Sequence, residues 1–216
     1  MKLYSFFRSS AAFRVRIALN LKGLRWESSA IDLIKGEHRT PQFEQVNAQR
    51  AIPALLDGNQ TLTQSMAIVE YLEETHPEPP LLPATTGERS WVRAIAQLIA
   101  CDIHPLNNLR VMKYLKKDLG VGQEQRDAWV RHWIGEGFSN LEAIIKRHPQ
   151  TGPFCHGNSP TIADVFLVPQ IFNARRAQMD LSAYPALLRI FDSCMALPAF
   201  DLAQPMKQPD AREDNL

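Results

Sequence analysis

Residues 3–33 read LYSFFRSSAAFRVRIALNLKGLRWESSAIDL, and this stretch decides the fold of the first part of the chain. Leu3–Phe7 is a short apolar and aromatic run suited to a strand. Ser9 and Ser10 follow. In Ala11–Lys22, Phe13, Ile17, Ala18 and Leu21 then recur at helical spacing, and Gly23 marks the C-terminal end. Trp26–Leu33 alternates loosely and predicts a second strand. Strand, helix and strand within about thirty residues make a βαβ unit, which requires parallel pairing and a right-handed crossover.

Downstream, Lys35–Arg50 is polar and reads as irregular. After Pro53, Ala54-Leu55-Leu56 and Thr61-Leu62-Thr63 flank Asp57-Gly58-Asn59-Gln60, a hairpin signal. Ser65 is placed to cap a helix carrying Ile68, Tyr71, Leu72 and Thr75 on one face. The first part is therefore βαβ followed by ββα. His76-Pro77-Glu78-Pro79-Pro80-Leu81-Leu82-Pro83 cannot continue a helix, and the domain linker is placed there. Beyond it no strand alternation is found. Val92, Ile95, Ile99 and Ile103, then Met112 and Leu115, predict a long helix that Pro105 kinks or breaks. Ala128–Ile145, a segment opened by Thr161-Ile162-Ala163-Asp164, and Tyr184–Leu197 predict three more. The expected organisation is an α/β domain over residues 1–80 and an all-α domain over 84–216, with a polar, loose tail from Gln204.

Composition narrows the function classes. Of 216 residues, 45% are hydrophobic and 22% charged, an ordinary globular balance. Lys plus Arg is 24 against 23 for Asp plus Glu, so the net charge of +1 offers no global field for nucleic acid or an anionic membrane. No apolar run approaches the roughly 18 residues of a spanning helix, and Lys2 and Arg8 interrupt the start too early for a signal peptide. Cys101, Cys155 and Cys194 are odd in number, far apart and without metal-ligand spacing. A disulfide framework or a metal site is not expected, and a cytoplasmic setting is. The three cysteines are expected to be buried small apolar residues, and Trp91, Trp129 and Trp133 to pack helices.

Three places can carry chemistry. Ser9 and Ser10 stand between a strand and a helix, where open N–H groups, the helix dipole and a hydroxyl suit an anion such as a thiolate. Plain helix capping accounts for them equally well. Pro53 opens a strand. A trans bond is the commoner form there, whereas a cis bond would turn the Ile52 backbone outward toward an extended peptide. Gln64-Ser65 begins another helix and suits a carboxylate, or again serves as a simple cap.

Together these pieces resemble the glutathione transferase superfamily over nearly the whole chain. Ser9-Ser10, three residues, then Arg14-Val15-Arg16-Ile17-Ala18-Leu19 is similar to the signature of its zeta class. That class comprises maleylacetoacetate isomerases and bacterial maleylpyruvate isomerases. Cys101-Asp102-Ile103-His104-Pro105-Leu106-Asn107-Asn108 resembles the second-domain motif of the same enzymes. The resemblance implies a thioredoxin-like N-terminal domain, an all-α C-terminal domain, a homodimer and glutathione as cofactor.

By that resemblance Ser9 hydrogen-bonds the glutathione thiolate, with Ser10 beside it. Ile52 pairs its backbone with the tripeptide ahead of a cis-Pro53. Gln64 and Ser65 hold the γ-glutamyl end, and His38 and Gln49 face the glycyl side. His104 and Asn108, four residues apart and on one helical face if Pro105 leaves the turn intact, complete the glutathione site. Arg8, Arg110 and Arg176 are implied as partners of a dicarboxylic keto-acid or its enolate. Thr161 and Asp164 match the superfamily's capping box and are a folding device.

The implied reaction is cis–trans isomerisation of a maleyl keto-acid by thiolate addition, bond rotation and elimination. The alternatives are broad conjugation of electrophiles or a non-catalytic glutathione-fold protein. One departure stands out. The zeta signature carries Cys two residues after its first Ser, and Ala11 occupies that position here. This argues against reductive dehalogenation, which needs a protein thiol, and leaves isomerisation untouched.

Overall fold

The computed structural model describes residues 1–212. Their contacts divide them into two compact units, Met1–Leu81 with the segment from Met195 onward, and Leu82–Cys194.

The first unit runs β1 (Lys2–Ser5), α1 (Ser10–Leu21), β2 (Glu27–Ala30), a 3₁₀ turn (Glu37–Arg39), α2 (Pro41–Val46), β3 (Ala54–Asp57), β4 (Gln60–Thr63) and α3 (Ser65–Thr75). The sheet order is β2-β1-β3-β4. β1 pairs parallel with β2 and antiparallel with β3, and β3 pairs antiparallel with β4, giving the βαβ–ββα plan. Asp57 opposes Gln60 across the hairpin, and Gly58 takes φ +59°, as a two-residue turn between twisted strands requires. Leu3, Phe7, Phe13, Ile17, Leu55, Ile68 and Leu72 fill the core of this unit.

α1 begins at Ser10, so Phe6 and Phe7 leave the strand and enter the turn that carries Arg8 and Ser9. The stretch read as irregular contains α2. Its start is set by Thr40, whose hydroxyl accepts from Phe43 N–H, and by Pro41 at the first helical position. Only Phe43 is buried in this six-residue helix, which leaves no periodic apolar face to detect. The residue at the cap of α3 is Gln64, not Ser65, and its φ of +67° places it in the left-handed region.

The second unit holds α4 (Thr86–Gln97), α5 (Leu109–Lys117), α6 (Gln123–Arg147), α7 (Ile162–Arg176) and α8 (Pro185–Met195). Between α4 and α5 the chain makes a π turn, Leu98–Ile103, and a 3₁₀ turn, His104–Asn107. Pro105 thus breaks the predicted helix outright, consistent with its missing N–H. Close packing accompanies the π turn: a Cβ on Gly137 of α6 would stand 2.3 Å from the Ile103 side chain. Trp129 donates its indole N–H to the Leu106 carbonyl and meets Trp133 edge-on, while Trp91 stacks on His148.

Two expectations fail here. Cys101 is exposed, its thiol directed to the Gln97 side chain at 3.0 Å, whereas Cys155 and Cys194 are buried. The tail is not loose over its described part. After α9 (Pro198–Asp201), Asp210 accepts from the Phe7 N–H and Arg212 pairs with Asp32 at 2.8 Å. These partners lie far back in the sequence, so polarity read as solvation was in fact polarity matched to the first unit.

Candidate active site

Ser9 is the N-cap of α1, in extended backbone with φ −68° and ψ 114°. Its hydroxyl oxygen accepts from the Ala12 N–H at 3.2 Å. That bond uses a lone pair and leaves the hydroxyl proton to donate. Among the described residues the N–H groups of Ser10 and Ala11 meet no acceptor, and the first turn of α1 holds no acidic side chain. The positive end of the helix is therefore unneutralised from within, as an anion site requires.

Arg8 lies directly before this cap, half-buried, with its guanidinium 6.0 Å from the Phe6 ring centre and 5.8 Å from that of Phe7. Its Nε is buried and has no hydrogen-bond partner in the described chain. Desolvation lowers its pKa. A buried donor of this kind suits an incoming carboxylate, which would satisfy it.

The other N-terminal positions assemble in two groups. Gln64 donates from its amide to the Gln49 side-chain oxygen at 2.9 Å, joining those two exposed residues. Ser65, nearly buried at the first position of α3, accepts from Arg14 Nη1 at 3.1 Å and retains its own proton. α3 also has no acidic residue in its first turn. The Ile52–Pro53 bond is cis, and among the described residues the Ile52 N–H and C=O make no hydrogen bond. His38 is buried in the 3₁₀ turn beside α2.

In the second unit the break at Pro105 parts His104 from Asn108. His104 opens the 3₁₀ turn and Asn108 caps α5, its side-chain oxygen accepting from the Arg110 and Val111 N–H groups at 3.0 and 3.4 Å. The two do not share a helical face as the spacing had implied. Asn108 keeps its amide N–H₂ for other partners. Arg110 is exposed at the second position of α5. Arg176, at the end of α7, donates to the Asn173 side chain at 2.7 Å. Asn173 donates to Asn107 at 2.9 Å, and Asn107 to the Ile103 carbonyl at 3.2 Å. A chain of amides thus links Arg176 to the turn that begins with His104.

The comparisons with known proteins agree over the whole length. Residues 1–74 match the N-terminal domain, and residues 127–193 the C-terminal domain, of glutathione S-transferases. The chain is 50% identical over 211 residues to a probable maleylacetoacetate isomerase of Vibrio cholerae, covering 97% of each. It is 46% identical to a maleylpyruvate isomerase of Ralstonia sp., over 98% of this chain and 100% of that one. The holo structure of a maleylpyruvate isomerase, described as a bacterial zeta-class glutathione S-transferase, superposes with a TM-score of 0.97 over 98% of this chain and all of its own, at 46% identity. A maleylacetoacetate isomerase of Methylobacterium extorquens with bound malonate and glutathione gives 0.95, at 41% identity and with 98% and 100% coverage. The chain belongs to the zeta class of the glutathione S-transferase family.

For a zeta-class transferase, several groups that shape the site were not singled out from sequence. Arg14 ties α1 to the start of α3, Arg16 holds the turn before Ser9, and Asn107 and Asn173 support Arg176. The signature run contains Arg14 and Arg16. Asn173 carried no signal, because its partner is 66 residues away.

Proposed function

We propose that this chain is a glutathione-dependent cis–trans isomerase of a small maleyl keto-acid, maleylacetoacetate or maleylpyruvate. The observation that carries the reading is Ser9: a hydroxyl with its proton unengaged, at a helix start with open N–H groups and no acidic neighbour in the first turn. When bound, glutathione supplies a thiolate that adds to the substrate's cis double bond and leaves after rotation about it.

The residues fit that group. Ser9 donates to the sulfur, and the α1 terminus favours its charged form. An ordinary Cys-type thiol has a pKa of about 8.5, so lowering it by one unit raises the thiolate fraction near pH 7 several-fold. Ser10 stands beside Ser9 at the first helical position. The unpaired Ile52 backbone offers one donor and one acceptor to an extended peptide. Gln64 and the Ser65 hydroxyl, at the start of α3, receive the γ-glutamyl carboxylate. Gln49 and His38 serve the glycyl end, and His104 with the Asn108 amide contribute from the helical unit.

Arg8, through its unpartnered buried Nε, binds a substrate carboxylate or the oxygen on which negative charge develops. Arg110 and Arg176 are assigned the remaining substrate charge. The enzyme is placed in the cytoplasm as a homodimer, in keeping with its free cysteines and balanced charge. No helix among the described residues is long and apolar enough to cross a membrane.

Ultraviolet monitoring of maleylacetoacetate and maleylpyruvate, each with and without glutathione, tests the reading. Conversion of at least one to its fumaryl isomer, dependent on glutathione, is expected. No conversion of either, alongside turnover of a neutral electrophile, would show a conjugating transferase instead.

A further inference from the structure

The turn that presents Arg8 and Ser9 is held from behind by the end of the chain. Ser9 N–H closes the turn on the Phe6 carbonyl at 2.9 Å. Phe7, at its centre, is fully buried, so neither of its backbone polar groups can turn to water. Asp210, 203 residues away, accepts from the Phe7 N–H at 2.9 Å. On the other side of the residue, the Phe7 carbonyl accepts from Arg16 Nη2 at 3.0 Å.

Arg16 itself is fully buried. It donates to the Ser5 hydroxyl and, through Nε, to the carbonyl of Ala203, both at 3.0 Å. Burial pulls its pKa down to about 9, and the Asp210 carboxylate works in the opposite direction, so Arg16 stays a cation at neutral pH. Arg212 closes the far end of the same segment on Asp32 at 2.8 Å. Terminal segments fray unless tied down, and this one is tied at the two peptide planes that flank Phe7.

We propose that residues 203–212 form a strap that sets the direction of the Arg8 and Ser9 side chains, with Asp210 as its positioning residue. The proposal rests on the role given to Ser9 above. Two successive peptide planes fixed by Asp210 and Arg16 leave the chain little freedom before Ser9. Losing one of them lets the hydroxyl swing away from the sulfur it must meet. Asp210 reaches the reaction only through the backbone.

The test compares Asp210→Ala, Asp210→Asn and Ser9→Ala in the full chain. Isomerase kcat and KM, the ultraviolet titration of bound glutathione thiolate and Tm are read for each. Asp210→Ala is expected to lower kcat by about tenfold and to shift the thiolate titration upward, with a smaller change in the glutathione KM. Asp210→Asn, whose amide oxygen still accepts from Phe7 N–H, should recover most of both. Should Asp210→Ala not fold, Asp210→Glu displaces the carboxylate by one methylene and should move the titration in the same direction. A lower Tm with wild-type kcat and titration marks a merely structural strap and overturns the proposal. If Ser9→Ala moves the titration and the Asp210 variants do not, the strap alone fails. If Ser9→Ala leaves it unmoved, the reading of Ser9 fails first.

Discussion

α1 of the first unit and α7 of the second begin with the same chemistry and use it in opposite ways. At α1 the Ser9 oxygen accepts a backbone N–H, its proton is unengaged, and no carboxylate lies in the first turn. At α7 the Thr161 hydroxyl and N–H both donate to Asp164 Oδ2 at 2.8 Å, and Asp164 Oδ1 accepts from the Cys155 N–H at 2.7 Å. Asp164 is wholly buried, and although desolvation raises its pKa, its hydrogen bonds pull the other way.

Elsewhere the second unit repeats this closure. Glu88 completes a capping box at α4, and Glu142 of α6 accepts from the Ala186 and Leu187 N–H groups at the start of α8. In the first unit α1 and α3 both lack an acidic first turn. A helix start neutralised by its own carboxylate is a joint, whereas one left open is a place for a foreign anion.

Importing the closed solution into α1 gives the largest expected effect. Ser9→Asp should cap the helix as well as serine does, leaving Tm within a few degrees, while isomerase kcat/KM falls by about 10²–10³ or more. Steady-state assays with glutathione beside a melting curve check it. Retained activity would mean that the α1 terminus does not hold the thiolate.

Opening α7 is the converse. Asp164→Ala orphans two buried N–H groups and a hydroxyl, so a stability loss of about 3–5 kcal/mol is expected, read from the midpoint of denaturant unfolding. Asp164→Asn, which keeps acceptor capacity on one oxygen, should lose less.

Removing the cation beside the open start should act on charge rather than on chemistry. Arg8→Ala is expected to raise KM for the maleyl dianion by about tenfold and to leave KM for a neutral electrophile nearly unchanged. Arg176→Ala should act in the same direction and more weakly, because Asn173 already engages its guanidinium. Equal effects on both substrates would remove the arginines from substrate binding.

The smallest effect concerns α4, where Glu88 lies 3.8 Å from His156 and His148 stacks on Trp91. Burial first, then neighbouring His156, lowers the His148 pKa below its ordinary 6.5. The folded chain then binds this proton less readily than the unfolded chain. The stability tied to His148 is present above pH 6.5 and is lost as pH falls through that range. His148→Phe, which keeps a ring against Trp91, should flatten that decline by a fraction of a kcal/mol, visible in Tm measured at several pH values.

Much of the first unit was legible because its signals are local. Gly23 and Gly58 mark ends and turns, and the period of Phe13, Ile17 and Leu21 is helical. Ser9 was legible as a cap and, through the run that follows it, as a zeta-class residue. α2 was missed because a six-residue helix with one buried side chain shows no period. Gln64 rather than Ser65 caps α3, because the chain reaches that helix through a positive φ that residue type did not announce. The separation of His104 from Asn108 was legible only as a condition on Pro105. The structure resolves that condition with a 3₁₀ turn.

By itself the sequence determined the order of elements, the break at the proline-rich linker, the balanced charge and the hydroxyls at the start of α1. These depend on spacing, backbone sterics and residue type over a few positions. Only the tertiary structure decided which of the similar helix starts is closed by a carboxylate, which arginine is buried as a fastener and which has a donor to spare, and that the polar tail returns to Phe7. Those outcomes depend on partners tens to hundreds of residues apart, and burial turns such pairings from optional to obligatory because an unsatisfied polar group has no water to turn to.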